Sequence, residues 1–128
     1  MIDDDRPTNV LHRLVLQKTG LVEHVLDFTS PLKALEYLAD TTNAPKPTMI
    51  FLDINMPGMT GWEFLQEYAK FPMENLAEMT LMMLSTSSHP DDLKKADEHP
   101  NVDGYIYKPL SPDNFRKMLQ DYYALDQE

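Results

Sequence analysis

The side chains with the most chemistry in them are carboxylates. Asp3, Asp4 and Asp5 stand in a row near the start, and Asp53 directly follows the apolar pair Phe51-Leu52. Further along come the hydroxyls of Ser85-Thr86-Ser87-Ser88 and the ammonium of Lys108, which precedes Pro109. Carboxylates held close together repel one another unless a cation joins them. Hard oxygen ligands suit Mg²⁺, which takes few protein ligands and keeps waters or phosphate oxygens. A lysine ammonium suits a carboxylate or a phosphoryl oxygen, and serine offers a hydroxyl donor. Gathered in one pocket, these groups are the parts for phosphoryl transfer to an aspartate: nucleophile, metal ligands, cation and donor. Taken singly, each has a plainer reading. An acidic triplet is a solvated charge cluster, an Asp after a strand is a turn or cap residue, and Lys-Pro and serine runs are loop chemistry. The fold decides between the two readings, because it either brings these groups together or does not.

Hydrophobic patterning supplies the elements. Residues 8–19 carry apolar groups at Val10, Leu11, Leu14 and Val15, a spacing that predicts a helix with Gly20 as its C-terminal glycine. Val22 to Phe28 reads as a short strand. Ser30-Pro31 is an N-cap and first-turn proline, starting a helix that continues through Leu35, Leu38 and Ala39. Asn43 to Pro47 reads as a loop. Thr48 to Leu52 is apolar after its first residue, as a strand buried on both faces must be. Thr60 and Glu63 have capping-box spacing ahead of Phe64, Leu65 and Tyr68. Met79 to Leu84 is a second buried-type strand, and Pro90 opens a short polar helix. Gly104 to Tyr107 is a last strand, and Ser111-Pro112 starts a helix with Phe115, Met118, Leu119 and Tyr122 on its inner face.

Strands that alternate with helices imply a parallel sheet covered on both faces, with function at the carboxyl ends of the strands. Asp3 to Asp5, Asp53, Ser85 and Lys108 each fall at such an end. That joint placement favours the shared pocket over four separate plain readings. The first helix leaves only Met1 and Ile2 for the strand before it, so further residues are expected ahead of Met1.

Composition sets the bounds. The 128 residues carry 11 basic and 21 acidic side chains, a net charge of −10, and fit one domain of residues 1–128. The acidic balance argues against direct nucleic-acid binding. The absence of cysteine excludes disulfides, thiolate metal sites and cysteine nucleophiles. No apolar run is long enough to span a membrane and no signal peptide opens the chain, so a cytoplasmic location is expected. The four histidines, His12, His24, His89 and His99, lack metal spacing and read as surface or loop residues. Met49, Met79, Met82 and Met83 read as strand core, Trp62 as packing at the start of the third helix, and Asp5 as a helix cap.

Four stretches carry a family resemblance: Ile2-Asp3-Asp4-Asp5, Phe51 through Gly61 (FLDINMPGMTG), Leu84-Ser85-Thr86-Ser87 and Tyr105-Ile106-Tyr107-Lys108-Pro109. In order and spacing they resemble the receiver domain of two-component response regulators, across essentially the whole chain. The resemblance implies a flavodoxin-like α/β fold, a doubly wound five-stranded parallel sheet of order 2-1-3-4-5 with five helices. It implies that Asp53 is the phosphoacceptor, taking a phosphoryl group from the phosphohistidine of a sensor histidine kinase or a histidine phosphotransfer protein. Asp4, Asp53 and the backbone carbonyl of Asn55 would ligate Mg²⁺, with Asp3 acting through a water. Lys108 would contact Asp53 and then the phosphoryl group, which Ser85 would also bind. Tyr105 matches the aromatic that turns with the switch. Met56-Pro57-Gly58 would shape the loop beside the acceptor. Pro109 suggests a cis Lys108–Pro109 bond.

Two other functions compete. An aspartate-nucleophile phosphatase would want a second carboxylate shortly after Asp53 and a cap over its substrate; Asn55 stands near that place and the chain has no room for a cap. A receiver-like module that binds partners without phosphorylation would not need the acceptor, metal and lysine set. The chain ends at Leu125-Asp126-Gln127-Glu128 with no room for an output domain, so the switch is expected to act by surface change on a downstream protein.

Overall fold

A computed structural model describes residues 1–22, 24–39, 49–71, 80–86 and 89–123. Five helices and three strands are found among them. In chain order these are α1 (Arg6–Thr19), α2 (Pro31–Ala39), β1 (Met49–Asp53), α3 (Gly61–Tyr68), β2 (Thr80–Ser85), α4 (Pro90–Glu98), β3 (Gly104–Tyr107) and α5 (Pro112–Tyr123). The expected Asn43–Pro47 loop, Thr48 and Met79 lie outside the described residues, as do the side chain of Tyr122 and the chain end from residue 124.

The three strands form one parallel sheet of order β1-β2-β3. Asp53 pairs with Leu84, and Ser85 with Tyr107. The chain start extends this sheet without forming a long strand. Ile2 is bridged in parallel to Leu52 on one side and to Phe28 on the other. Ile2 N donates to Phe51 O at 2.8 Å, and Asp53 N to Ile2 O at 2.9 Å. Phe28 N donates to Met1 O at 2.8 Å, and Asp3 N to Phe28 O at 3.1 Å. Three residues thus suffice to join two neighbours. The strand expected at Val22–Phe28 contracts, among its described residues, to the bridge at Phe28.

Alternation along the strands divides the core in two. Ile50, Leu52, Leu81 and Met83 face Ala34, Leu38, Phe64, Leu65, Tyr68 and Ala96 from α2, α3 and α4. Phe51, Met82, Leu84 and Ile106 face Leu16 of α1 and Phe115, Met118 and Leu119 of α5. β1 and β2 are buried on both faces, which is why their sequences read as unbroken apolar runs. Met82 and Met83 are core, as expected, and Trp62 packs against the first cluster. Trp62 also carries the Lys95 ammonium 5.0 Å over its ring, tying α3 to α4.

The helix ends follow the sequence signals. Gly20 closes α1 at φ +71°, a left-handed conformation that glycine adopts without strain. Thr60 and Glu63 form a complete capping box, and Ser30 Oγ and Ser111 Oγ accept from Lys33 N and Asn114 N. Asp5 occupies the N-cap of α1, but its carboxylate takes the Thr8 hydroxyl in place of a backbone N–H.

The inner face of α1 differs from the expected one. Leu11 and Leu14 are 52% and 50% exposed, and the buried residues are Asn9, His12 and Leu16. Two polar anchors set that phase. Asn9 Nδ2 donates to Asp3 O at 2.8 Å, and His12 Nε2 accepts from Leu110 N at 3.3 Å. His12 is therefore a core residue, at 1% exposure, and its assignment to the surface is corrected. His24 and His89 are exposed and His99 is half-buried. Ala39 ends α2, as expected, and is exposed. Among the described residues no helix is long and apolar enough to cross a membrane.

Candidate functional site

The site is the carboxyl rim of the sheet. Asp53 ends β1 and Ser85 ends β2, while Lys108 directly follows β3. Asp3 and Asp4 follow the bridged Ile2. The hydrogen bonds that Ile2 donates to Phe51 and accepts from Asp53 set the acidic segment beside Asp53. Asp3, Asp4 and Asp53 each offer one carboxylate oxygen, and these three atoms lie within 4.8 Å of one another. Asp3 and Asp53 are buried, and Asp4 is exposed.

Lys108 balances this charge. Its Nζ lies 2.6 Å from Asp3 Oδ2 and 3.1 Å from Asp53 Oδ1, so the nearer partner is Asp3. The other oxygen of Asp3 accepts from Asp5 N at 2.9 Å. Burial alone would lower the Lys108 ammonium, but the hydrogen bond to Asp3 and the charges of Asp53 and Asp3 outweigh it and raise its pKa. Burial pushes the Asp53 carboxyl above the ordinary carboxylate range. The charges of Asp3 and Asp4 add to that effect, and Lys108 opposes it.

The lysine is held from several sides. Lys108 N donates to Ser85 O at 2.9 Å, linking the ends of β2 and β3. The Lys108–Pro109 bond is cis, as the sequence suggested. Asn114 Nδ2 donates to Pro109 O at 3.3 Å, and Leu110 N to His12.

Asp53 is held from below by α3. Gly61 N donates to Ile54 O at 2.7 Å. A Cβ on Gly61 would stand 2.6 Å from Asp53 O and 2.9 Å from Ile54 Cα. Only glycine lets the helix start this close to the backbone of Asp53. Gly58, at φ +84°, turns the loop between them.

The other expected site residues are arranged as follows. Ser85 is fully buried, one residue beyond Leu84, the register partner of Asp53. Asn55 lies in the exposed turn after β1, two residues past Asp53. Tyr105 is half-buried on β3 against the first core cluster, its ring 5.5 Å from that of Tyr107. Ser87 and Ser88 lie outside the described residues. Sequence reading missed His12 and Asn9, the two side chains that attach α1 to this rim. Their i, i+3 spacing was visible, but an apolar stripe drew attention to the opposite face.

The rim thus offers a crowded acidic pocket, a lysine bridging two of its carboxylates, and a buried hydroxyl-bearing residue on the neighbouring strand. Hard oxygen ligands at this spacing suit a small divalent cation.

Comparison with known proteins bears on the family. Residues 1–120 match the family model described as the response regulator receiver domain. The response regulator Rcp1 of Synechocystis sp. is 29% identical over 124 residues, covering 94% of this chain and 82% of that protein. The two-component response regulator ARR17 of Arabidopsis thaliana is 31% identical over 114 residues, 77% of this chain and 72% of that protein. A two-component response regulator from Cytophaga hutchinsonii superposes with a TM-score of 0.86 at 31% identity, covering 94% of this chain and 91% of its own. Such domains are signalling switches and not metabolic enzymes. The chain belongs to the family of response regulator receiver domains.

Proposed function

We propose that the protein is a phosphoacceptor switch in which Asp53 takes a phosphoryl group from a phosphohistidine on a sensor histidine kinase or a histidine phosphotransfer protein. The observation that carries this reading is the Lys108 ammonium between the buried carboxylates of Asp3 and Asp53, with Asp4 in reach. Asp53 Oδ attacks phosphorus, the bond from phosphorus to the donor's imidazole nitrogen breaks, and the donor leaves with that electron pair. Lys108 then contacts the new phosphoryl oxygens.

The three carboxylates fit Mg²⁺ by charge, hardness and mutual distance. Asp4, Asp53 and the Asn55 backbone carbonyl hold it directly in this reading, and Asp3 holds it through a water. When bound, the ion offsets charge on the transferring phosphoryl oxygens. Ser85 donates to the phosphoryl group, and Tyr105 follows the loop that Ser85 carries. The two bridges of Ile2, to Phe28 and Leu52, support a five-stranded sheet of order 2-1-3-4-5 within one domain of residues 1–128. The altered surface of α4, β3 and α5 is then read by a downstream protein.

The test is intact mass after incubation with a small acyl phosphate and Mg²⁺. One added phosphoryl group, lost on removal of Mg²⁺ and absent in Asp53→Asn, is the expected result. A parent protein that gains no mass under these conditions leaves a module that binds partners without phosphorylation.

A further inference from the structure

The turn that carries Lys108 is tied down at three backbone atoms. Lys108 N goes to Ser85 O, Pro109 O to Asn114 Nδ2, and Leu110 N to His12 Nε2. Of these, only the bond to His12 reaches across to another helix from a side chain that is 1% exposed. The same helix face carries Asn9, one turn earlier, whose Nδ2 holds the carbonyl of Asp3. So α1 grips both ends of the closest ion pair in the pocket: the backbone of Asp3 through Asn9, and the turn of Lys108 through His12.

The bond fixes the chemistry of the imidazole. Nε2 accepts from a backbone N–H, so it carries no proton, and the ring is neutral with its proton on Nδ1. Burial first, and the nearby Lys108 ammonium second, hold the ring to that neutral form. Nδ1 is buried with no hydrogen-bond partner among the described residues. A buried polar atom left this way costs stability that an apolar side chain would not. The position therefore keeps a histidine against a stability cost, and what it obtains is the hold on Leu110.

We infer that His12 is a positioning residue for Lys108, acting through the Leu110 amide from the inner face of α1. This rests on the proposed phosphoacceptor function for its consequence, and on geometry alone for the hold itself. A small displacement of Lys108 moves its ammonium off the two carboxylates and off the incoming phosphoryl oxygens, and small displacements at a reacting centre cost much rate.

The experiment compares the parent, His12→Leu, which fills the buried space without an acceptor, and His12→Gln, whose Oε1 can take the place of Nε2. In His12→Leu the Leu110 amide should exchange with solvent about tenfold faster, and phosphorylation by a small acyl phosphate should slow on the order of tenfold. Mg²⁺ affinity should not fall, because the Lys108 ammonium competes with the ion for Asp3 and Asp53 and does not ligate it. His12→Gln should recover both exchange protection and rate. Nitrogen NMR of the unaltered protein should show a neutral ring with the proton on Nδ1. Parent-like exchange and rate in His12→Leu overturn the inference. So does a His12→Gln as slow as His12→Leu, or a parent ring protonated on Nε2 at neutral pH. A parent that takes no phosphoryl group sinks the phosphoacceptor function, and leaves Leu110 exchange and the ring tautomer to decide the role of His12.

Discussion

Adding one methyl group at Gly61 should disable the acceptor without touching a single functional side chain. The Cβ of an alanine there would stand 2.6 Å from Asp53 O, where ordinary contacts begin at 3.4 Å, so the two must separate by about 0.8 Å. The atoms in the way are the backbone of Asp53 and Ile54, which cannot rotate aside as a flexible side chain would. Overpacking of this kind costs about 1–3 kcal/mol. The movement falls on the proposed acceptor, so acceptance should drop on the order of tenfold to a hundredfold. Urea denaturation and the initial rate of phosphorylation by a small acyl phosphate measure the two effects. Gly20→Ala is the comparator. A Cβ there meets nothing within 4 Å, but the φ of +71° strains any L-residue. That variant should lose about 1 kcal/mol and keep the parent's phosphorylation rate. If Gly61→Ala matches Gly20→Ala in rate, the close approach of α3 does not position Asp53.

Three further outcomes follow from the same geometry. Asp53 binds its proton more readily folded than unfolded, because burial and then the Asp3 charge raise its pKa above 3.8. Apo stability should therefore fall as pH rises from that value through the raised one, and Asp53→Asn should flatten the fall and raise Tm at neutral pH; calorimetry across pH checks both. Lys108→Met removes the ammonium 2.6 Å from Asp3 and 3.1 Å from Asp53. Two buried carboxylates then stand uncompensated, and the apo protein should lose about 3 kcal/mol in urea titrations, part of it restored by Mg²⁺. Ser85→Ala should still accept a phosphoryl group but lose a hydrogen bond to charge of about 1.5–3 kcal/mol that couples acceptor to loop; amide exchange around Tyr105, with and without phosphorylation, should then no longer differ.

Much of this was legible in the residues. The buried strands announce themselves as MIFL and TLMML, and Thr60 with Glu63 states where α3 begins. Once the strands are assigned, their carboxyl ends bring Asp53, Ser85 and Lys108 to one rim with no further information. The face of α1 was not legible, because hydrophobic spacing finds the helix while its rotation is set by two side-chain bonds, from Asn9 to the Asp3 carbonyl and from the distant Leu110 to His12. Partners 98 residues apart leave no local signal. At the chain start, residues 1–3 are hydrogen-bonded on both sides, a pairing that strand propensity does not show. Nor did spacing reveal that Lys108 lies nearer Asp3 than Asp53, a matter of tenths of an ångström.

The most direct test of the central claim locates the phosphoryl group itself. After phosphorylation, borohydride reduces an aspartyl phosphate to the corresponding alcohol, and peptide mass spectrometry then marks the residue that carried it. Reduction is expected at Asp53 alone, dependent on Mg²⁺, and none in protein not exposed to a phosphodonor. Reduction at Asp3 or Asp4, or a fully phosphorylated protein with Asp53 unmarked, would contradict it.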